Sequence, residues 1–393
     1  MISVEQAIDT VQNNIVPTLN FERIEVSKAI GCILCEDIIS PINMPPFRQS
    51  AMDGYALCLN GESTYHIIGE VKAGDHHQPT LKKGEAVRIF TGAPVPDSAN
   101  AVIMQEKVIV KQQELTIEST VSVNDNIRPL GEQVTKDQIA LKKGVVVTPA
   151  AIGFITSLGI TEVVVYAKPS IAIVVTGNEL VEAGKDLVFG QIYGSNAVML
   201  ASVLNKLGFQ NISSFKVDDD YKNTIDVLGN VIAIHDVVLV SGGISVGDYD
   251  FVGKALLELG VEQVFYKVKQ KPGKPFFFGK KEKKAVFALP GNPAAALSCF
   301  YIYVNRALQK MSGNMNYSLA KTKARSESNY TKKGDRSHFL KAVYRDGTAE
   351  ILDGQSSSML YTFALANALV YVPETVESIK INDEVEVILL PTN

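Results

Sequence analysis

The stretch "DVVLVSGGISVGDYDF", residues 236–251, places an apolar strand, a glycine turn and two acids next to one another. Residues 237–241 are nearly all apolar and β-branched, which predicts a buried strand. Gly242 and Gly243 follow it directly, and Asp248 and Asp250 come soon after. Such a strand, ending in a glycine turn and a charged loop, is typical of a parallel sheet whose loops bind a ligand.

The residues around this stretch extend the same pattern. Apolar strands such as "SIAIVVT" and "KKAVFALP" alternate with helical segments such as "SNAVMLASVLNKLG" and "NPAAALSCFYIYVNRALQKM". This alternation predicts a mostly parallel sheet with helices on both faces, formed by residues 169–315. Ser195 is predicted to cap one helix, and Asn292 followed by Pro293 to open another.

The remaining residues predict further domains, because 393 residues exceed a single hydrophobic core. Residues 45–129 are rich in alternating segments and turn residues, which predicts an inserted β domain. Residues 1–44 and 130–168 flank it and are predicted to form one discontinuous domain. Residues 316–393 return to strands and turns, including the hairpin "SHFLKAVYRDGTAEIL", and predict a small β-barrel or sandwich.

Composition excludes several classes of function. The net charge of −4 argues against a broad nucleic-acid surface, which needs an excess of Lys and Arg. The first residues lack the pattern of a signal peptide, and no apolar run is long enough to span a bilayer. We therefore expect a cytoplasmic protein. The four cysteines lack zinc-ligand spacing and are interpreted as small buried hydrophobes.

Ligands of an open parallel sheet bind beyond the carboxyl ends of its strands. Five loops are predicted there, and each carries glycine, acid or lysine: "TGNEL", "KVDDD", "SGGISVGDYD", "KVKQKPGKP" and "LPGNPAA". Glycine turns let backbone N–H groups approach an anion. Carboxylates repel phosphate unless a divalent cation lies between them, which predicts Mg²⁺. The acids are Glu179, Asp219, Asp220, Asp248 and Asp250, the lysines Lys267, Lys271 and Lys274, and the turn residues Gly242, Gly243 and Ser245.

Each of these motifs alone has a plainer explanation. A glycine pair is first a turn, three aspartates in a row are usually a solvated loop, and "KPGKP" is compatible with a stiff surface turn. No GxGxxG follows a strand and no Walker A motif is present, which weakens dehydrogenase and kinase interpretations. The shared placement at one sheet edge is what favours a phosphorylated ligand with its metal.

Six motifs, taken together, resemble a known family. They are "SAMDGYA" at 50–56, "TGAPVP" at 91–96, "TGNEL" at 176–180, "SGGISVGDYD" at 241–250, "KPGKPFFFG" at 271–279 and "LPGNPAA" at 289–295. Their order and approximate spacing resemble those of the molybdopterin molybdenumtransferases, which include bacterial MoeA proteins and the E domain of gephyrin. The resemblance covers nearly the whole chain. It implies an elongated discontinuous domain, an inserted β domain, a molybdopterin-binding-like α/β domain and a C-terminal β-barrel.

The resemblance also implies an activity. Family members complete molybdenum cofactor biosynthesis: they insert molybdate into adenylylated molybdopterin, with Mg²⁺-dependent release of AMP. They are homodimers whose site is shared across subunits, and a molybdopterin adenylyltransferase is the expected partner. Two alternatives stay open, namely a scaffold of the gephyrin type and a homologue that inserts tungstate.

The family positions match individual residues of this chain. The resemblance implies metal-binding and catalytic acids at Glu179, Asp219 and Asp250, and further catalytic residues at Asp53, Thr91, Lys267 and Lys271. It implies substrate-binding residues at Arg128, Pro290, Pro293 and Ser357, beside Gly242, Gly243, Ser245 and Lys274. One departure is Gln133, which stands where the family often has an acid. A neutral amide cannot attract a cation or act as a base, so either this position is peripheral or the chain is a variant with changed activity. The other acids and lysines are intact, which favours the first interpretation.

Overall fold

The computed structural model describes residues 1–244 and 251–391. The predicted site residues Ser245, Asp248 and Asp250 therefore lie outside the described residues.

The helices, in chain order, are α1 (Val4–Asn14), α2 (Pro149–Ser157), α3 (Asn196–Lys206), α4 (Tyr221–Ile234), α5 (Phe251–Glu258), α6 (Pro293–Cys299), α7 (Asn305–Met311) and α8 (Leu360–Leu365). A π-helical segment, Phe300–Val304, joins α6 to α7. The first strands are β1 (Phe21–Glu25), β2 (Ile38–Ile39), β3 (Gln49–Ser50), β4 (Gly54–Leu57), β5 (Thr64–Val71), β6 (Glu85–Ile89), β7 (Ala101–Met104), β8 (Val108–Lys111), β9 (Glu114–Ile117), β10 (Ile127–Arg128), β11 (Ile139–Leu141) and β12 (Glu162–Tyr166).

The later strands are β13 (Ile171–Thr176), β14 (Leu180–Val181), β15 (Ile192–Tyr193), β16 (Ile212–Val217), β17 (Val237–Ser241), β18 (Glu262–Lys267), β19 (Gln270–Lys271), β20 (Pro275–Lys281), β21 (Lys284–Leu289), β22 (Lys321–Ser326), β23 (Tyr330–Thr331), β24 (Ser337–Arg345), β25 (Thr348–Ile351), β26 (Ala368–Val372), β27 (Ser378–Ile379) and β28 (Glu384–Leu389). The chain divides into two compact units. One contains residues 1–22, 31–33 and those from 165 onward, and the other contains residues 23–30 and 34–164.

A six-stranded sheet organises the first unit, in the order β16-β13-β17-β21-β20-β18. β16, β13, β17 and β21 are parallel neighbours, and β20 runs antiparallel to both β21 and β18. β18 therefore points the same way as the four parallel strands. The mostly parallel sheet predicted from the alternating sequence is confirmed.

Helices cover both faces of this sheet, because alternate strand residues point to opposite sides. Ile171, Ile173 and Leu239 share one apolar cluster with α1, α3 and α6. Ala172 and Val238 share the other with α4 and α5. The strands are apolar on both faces for this reason, and each fully buried Leu or Ile contributes about 1.5–3 kcal/mol.

Two helix starts differ from the sequence expectation. Ser3 caps α1, with its hydroxyl accepting from Gln6 N and the Gln6 side chain accepting from Ser3 N. Ser195 and Asn292 precede α3 and α6, but neither side chain makes a capping hydrogen bond. The Asn292 amide donates to Ser357 Oγ instead, so a tertiary contact takes the place of the local cap.

The last part of the first unit is a closed β-barrel. Its strands follow the order β24-β25-β22-β28-β26, and β26 pairs back onto β24. β24 and β25 form the predicted hairpin, in which Asp346 and Gly347 both have positive φ, as a tight two-residue turn requires. Closure leaves the barrel without free edges, which resolves the choice between barrel and sandwich.

The second unit is built on a separate six-stranded sheet, in the order β7-β4-β6-β5-β9-β8. β2 pairs with β11, and β3 pairs with β10. Strands that precede this sheet in the sequence therefore pair with strands that follow it. Within the described residues, no helix is both long and apolar enough to cross a membrane.

Candidate functional site

Five loops lie at the carboxyl edge of the parallel sheet. They follow β13, β16, β17, β21 and β18, which all point the same way. The predicted placement of these loops at one edge of the sheet is therefore confirmed by the topology. Glu179, Asp219, Gly242, Pro290 and Lys267 all lie on the loops or strand ends of this edge.

The two described acids of the site lie on neighbouring loops. Asp219 and Asn178 form a reciprocal pair, because Asn178 N donates to Asp219 Oδ2 at 3.3 Å and Asp219 N donates to Asn178 Oδ1 at 3.0 Å. Glu179 is exposed, and its carboxylate lies against Gly177, where an added Cβ would be 2.6 Å from Oε2. The loops thus fix Asp219 and leave Glu179 facing solvent. Asp220 has another role, since its side chain caps α4 by accepting from Asn223 N at 2.8 Å.

The turn after β17 is shaped by a buried hydroxyl. Gly242 has a φ of +103°, and an added Cβ would lie 2.7 Å from Thr176 Oγ1. Thr176 is 7% exposed, and its hydroxyl has no hydrogen-bond partner among the described residues. Only glycine fits at position 242, because Thr176 fills the space that a side chain would need.

An asparagine ties two of the loops together. Asn196 Nδ2 donates to Ser241 Oγ at 2.8 Å and to Gly291 O at 2.7 Å. Ser241 Oγ in turn donates to Pro290 O at 3.4 Å. The turns after β17 and β21 are therefore held side by side.

Two predicted prolines and a serine border the same edge. Pro290 is buried directly after β21, and Pro293 begins α6. Ser357 contacts both the loop and the helix, because its hydroxyl accepts from Asn292 Nδ2 and its carbonyl accepts from Ala295 N at 3.2 Å. The described part of the site thus includes a residue from the barrel sequence.

The four lysines divide into two kinds. Lys271 and Lys274 are exposed, and Lys267 is partly exposed at the end of β18. Lys269, by contrast, forms ion pairs with Asp335 at 3.2 Å and Glu374 at 2.8 Å. These two acids neutralise the Lys269 ammonium group.

The neighbour of Lys271 in the strand ladder carries no compensating charge. Lys271 pairs with His338 of β24, which is fully buried. Burial, and then the positive charge of Lys271, lower the pKa of His338 to about 4. His338 is therefore neutral at pH 7, and it neither neutralises Lys271 nor adds charge to it.

The other unit contains the predicted residues Asp53 and Thr91. Asp53 Oδ1 accepts from Thr91 N at 2.7 Å and from Thr91 Oγ1 at 2.8 Å. The backbone and then the side-chain hydrogen bond from Thr91 lower the pKa of Asp53. Asp53 is exposed, so this unit presents a carboxylate that is both ionised and fixed in orientation.

Arg128 and Gln133 lie on the surface of that unit. Arg128 donates to Gln49 Oε1 at 3.5 Å, a long contact that leaves its charge exposed. Gln133 is exposed, and its backbone N donates to Met44 O at 2.9 Å.

Comparison with known families accounts for nearly the whole chain. Residues 2–159 match the MoeA N-terminal region (domain I and II), residues 172–310 match a family described as "Probable molybdopterin binding domain", and residues 323–390 match the MoeA C-terminal region (domain IV). A curated relative from Staphylococcus epidermidis is 31% identical over 100% of this chain and 96% of its own length. The chain belongs to the MoeA family.

Other members of the MoeA family agree with this assignment. A relative from Haemophilus influenzae is 38% identical over 81% of this chain and 79% of its own length, and both relatives are named molybdopterin molybdenumtransferase. A solved molybdopterin biosynthesis MoeA protein from Pyrococcus horikoshii OT3 is 28% identical, with a TM-score of 0.86 over 99% of this chain and 100% of that one. The multidomain architecture with a β-barrel is thus a MoeA family fold.

The carboxylate oxygens of Glu179 and Asp219 are the kind of ligand that a hard divalent cation prefers. Within residues 1–244 and 251–391, no group of three acidic, histidine or cysteine side chains is arranged to hold a metal. Mg²⁺, however, commonly takes only one or two carboxylates and completes its shell with water and substrate phosphates. Glu179 and Asp219, on adjacent loops, can supply those two.

Sequence reasoning missed Asn178 and Asn196 as parts of this MoeA site. Asn178 lies inside the quoted motif "TGNEL", and an amide beside an acid-bearing loop is a suitable partner for the acid. Asn196 gave no sequence signal, since its contact with Gly291 spans 95 residues. An apolar hollow bordered by Val4, Ile8, Phe339 and Ile388 is also present, but none of its lining residues belongs to the five loops.

Proposed function

We propose that this protein inserts molybdate into adenylylated molybdopterin and releases AMP. The observation that carries the proposal is the set of acids, glycine turns and free lysines at one sheet edge, in a chain of the MoeA family. The substrate carries a pyrophosphate and molybdate is a dianion, so the reaction must bring two anions together. A site of this kind needs positive charge on a rigid scaffold.

The lysines would supply part of that charge. Lys267, Lys271 and Lys274 lie at the strand ends and are partly or fully exposed. Hydrogen bonds to charged groups contribute about 1.5–3 kcal/mol each, so a few of them suffice to hold an oxyanion. We assign these lysines to substrate anions, and we assign Gly242, Gly243 and Ser245 to the backbone that approaches the substrate.

Glu179 and Asp219 would hold Mg²⁺, with Asp250 as a third acid. Asp219 is already oriented by Asn178, and Glu179 is free to turn toward an ion. A bound Mg²⁺ would stabilise the negative charge that develops on the phosphate as AMP leaves. Pro290, Pro293 and Ser357 would shape the substrate-binding cleft at the carboxyl edge of the sheet.

We further propose a homodimer in which Asp53, Thr91 and Arg128 of one subunit complete the site of the other. Under this proposal the elongated domain comprises residues 1–44 and 130–168, the inserted β domain 45–129, the α/β domain 169–315 and the barrel domain 316–393. The protein would act in the cytoplasm and receive its substrate from a molybdopterin adenylyltransferase.

Incubation with adenylylated molybdopterin, Mg²⁺ and either molybdate or tungstate tests the function. Active cofactor and AMP should form with molybdate, and the tungstate arm measures the choice of oxyanion. Binding without turnover of either oxyanion would favour the scaffold alternative.

Subunit mixing tests the shared site. Asp53→Ala and Glu179→Gln chains, each inactive alone, should recover part of the activity when mixed, because each heterodimer forms one intact site. Monomeric mass by light scattering, or no recovery after confirmed subunit exchange, would contradict the dimer proposal.

A further inference from the structure

The NH₂ group of the Asn196 side chain is hydrogen-bonded, and the amide oxygen is not. Its Nδ2 donates to Ser241 Oγ and Gly291 O, whereas its Oδ1 is buried without a partner among the described residues. The orientation of the amide is fixed by chemistry, because the Gly291 carbonyl can only accept and therefore requires the NH₂ group. The unpaired atom is thus an acceptor.

A buried acceptor without a partner is unfavourable unless something else donates to it. Asn196 is partly exposed at the open carboxyl edge of the sheet, between the turns after β17 and β21. A second unpaired polar atom, Thr176 Oγ1, lies at the same edge, beside Gly242. Two unsatisfied polar atoms at one sheet edge mark a place where a ligand bound by the five loops would gain hydrogen bonds.

The chemistry of an amide oxygen restricts the ligand group. A carbonyl oxygen repels phosphate and molybdate oxygens, so Asn196 does not serve the anionic part of the substrate. It also repels a ring oxo group but accepts from a ring amino group, which is the distinction that a heterocycle-binding site has to make. The lysines at the same edge would bind the phosphate and molybdate groups.

We propose that Asn196 Oδ1 accepts a hydrogen bond from an amino group on a heterocycle of the substrate and so determines specificity for that ring. This inference rests on the proposed function, in which the substrate carries two amino-substituted heterocycles, a pterin and an adenine. The same chemistry applies to both rings, and the experiment separates them.

Titration calorimetry with two pairs of probes tests the inference. One pair is AMP and purine riboside 5′-monophosphate, and the other is pterin and 4-hydroxypteridine; the second member of each pair lacks only the amino group. Wild type should bind the amino member of one pair about tenfold more tightly, as expected for one net hydrogen bond to a site built to accept it. The pair that shows the preference identifies the ring.

Three variants assign the preference to the oxygen. Asn196→Ala should bind both members of that pair equally, and Asn196→Leu, which has a similar shape but no oxygen, should do the same. Asn305→Ala is a matched control, because Asn305 also has an unpaired Oδ1 but is fully buried in a helix and donates to Tyr317. It should leave the ratio unchanged, and Asn196→Leu provides the measurement if Asn196→Ala does not fold.

Equal affinities in both pairs for wild type, or an unchanged ratio in Asn196→Ala, would overturn the inference. Titration of wild type with adenylylated molybdopterin separates this failure from that of the proposed function. Binding of that substrate with no amino preference refutes only the role of Asn196, whereas no binding refutes the proposed function itself.

Discussion

The carboxylates of Asp53 and Glu179 have opposite surroundings. The Asp53 carboxylate is held by two hydrogen bonds from Thr91, whereas the Glu179 carboxylate has no hydrogen bond or ion pair among the described residues. The same contrast extends around them: polar atoms at Thr176 and Asn196 are unpaired at the sheet edge. The carboxylate of Asp53 is paired within its own region, whereas the described polar atoms at the sheet edge are left without partners.

This difference separates two ways of presenting charge. A carboxylate fixed by hydrogen bonds keeps its orientation and its ionised form whether or not a ligand is present. An unpaired carboxylate or lysine at an open sheet edge is available to a cation or an anion. We therefore expect substitutions at the sheet edge to alter binding and activity, and those at the Asp53 turn to alter local structure as well.

The largest effect is expected at Glu179. Glu179→Gln keeps the shape of the side chain and removes the charge, and it should lower the rate of AMP release by about 10²–10³-fold, as loss of one preorganised electrostatic contact does. Asp250→Asn should act similarly. Circular dichroism should match wild type, and normal AMP release by either variant would remove that acid from the site.

The next largest effect is expected next to Asp53. Gly54 opens β4, and an added Cβ would lie 1.8 Å from Ile103 O of the neighbouring strand. Gly54→Ala should therefore lower the free energy of unfolding by about 3 kcal/mol, because backbone rather than a flexible side chain must move. Urea denaturation measures it.

Gly153→Ala is the matched control in the same unit. Gly153 lies within α2, with open space around it, so alanine there should raise stability by about 0.5–1 kcal/mol. A small loss in Gly54→Ala, similar to that at an ordinary surface site, would show that the strands separate easily and that the Asp53 turn is not rigid.

The sequence could predict which residues lie at the sheet edge, because this placement follows from the local pattern of strands and turns. Strand alternation and glycine turns placed Glu179, Asp219 and Gly242 at one sheet edge, since topology alone brings the ends of parallel strands together. Pairing across long separations could not be predicted in this way. Asn196 with Gly291, and Lys269 with Asp335 and Glu374, depend on how loops pack, and no spacing in the sequence encodes them.

The lysines provide a comparison of free and paired charge in one segment. Lys271→Ala should weaken binding of adenylylated molybdopterin or molybdate by about 10–100-fold, because a charge-assisted hydrogen bond is lost. Lys271→Arg should keep part of the affinity, since it retains the charge with a different geometry. Titration calorimetry at two salt concentrations measures both.

Lys269→Ala is the control for that measurement. Its ammonium group is already paired with Asp335 and Glu374 at the surface, so its removal should change stability by no more than about 1 kcal/mol and leave both affinities unchanged. Equal losses in Lys269→Ala and Lys271→Ala would mean that the segment contributes only general positive charge.

The smallest effect concerns the titration of Asp53. Hydrogen bonds from Thr91 lower its pKa in the folded state, so Asp53 stabilises the fold above its unfolded pKa of about 3.9, and this contribution is lost as pH falls through the lower folded pKa. Thr91→Val removes the hydroxyl but keeps the backbone donor, and it should raise the pKa of Asp53 part of the way toward its ordinary value. Thr91→Ser keeps both donors and should leave the pKa low. Carboxyl ¹³C chemical shifts followed from pH 6 to pH 2 measure all three proteins, and an identical midpoint in Thr91→Val and wild type would show that the backbone N–H alone fixes the charge of Asp53.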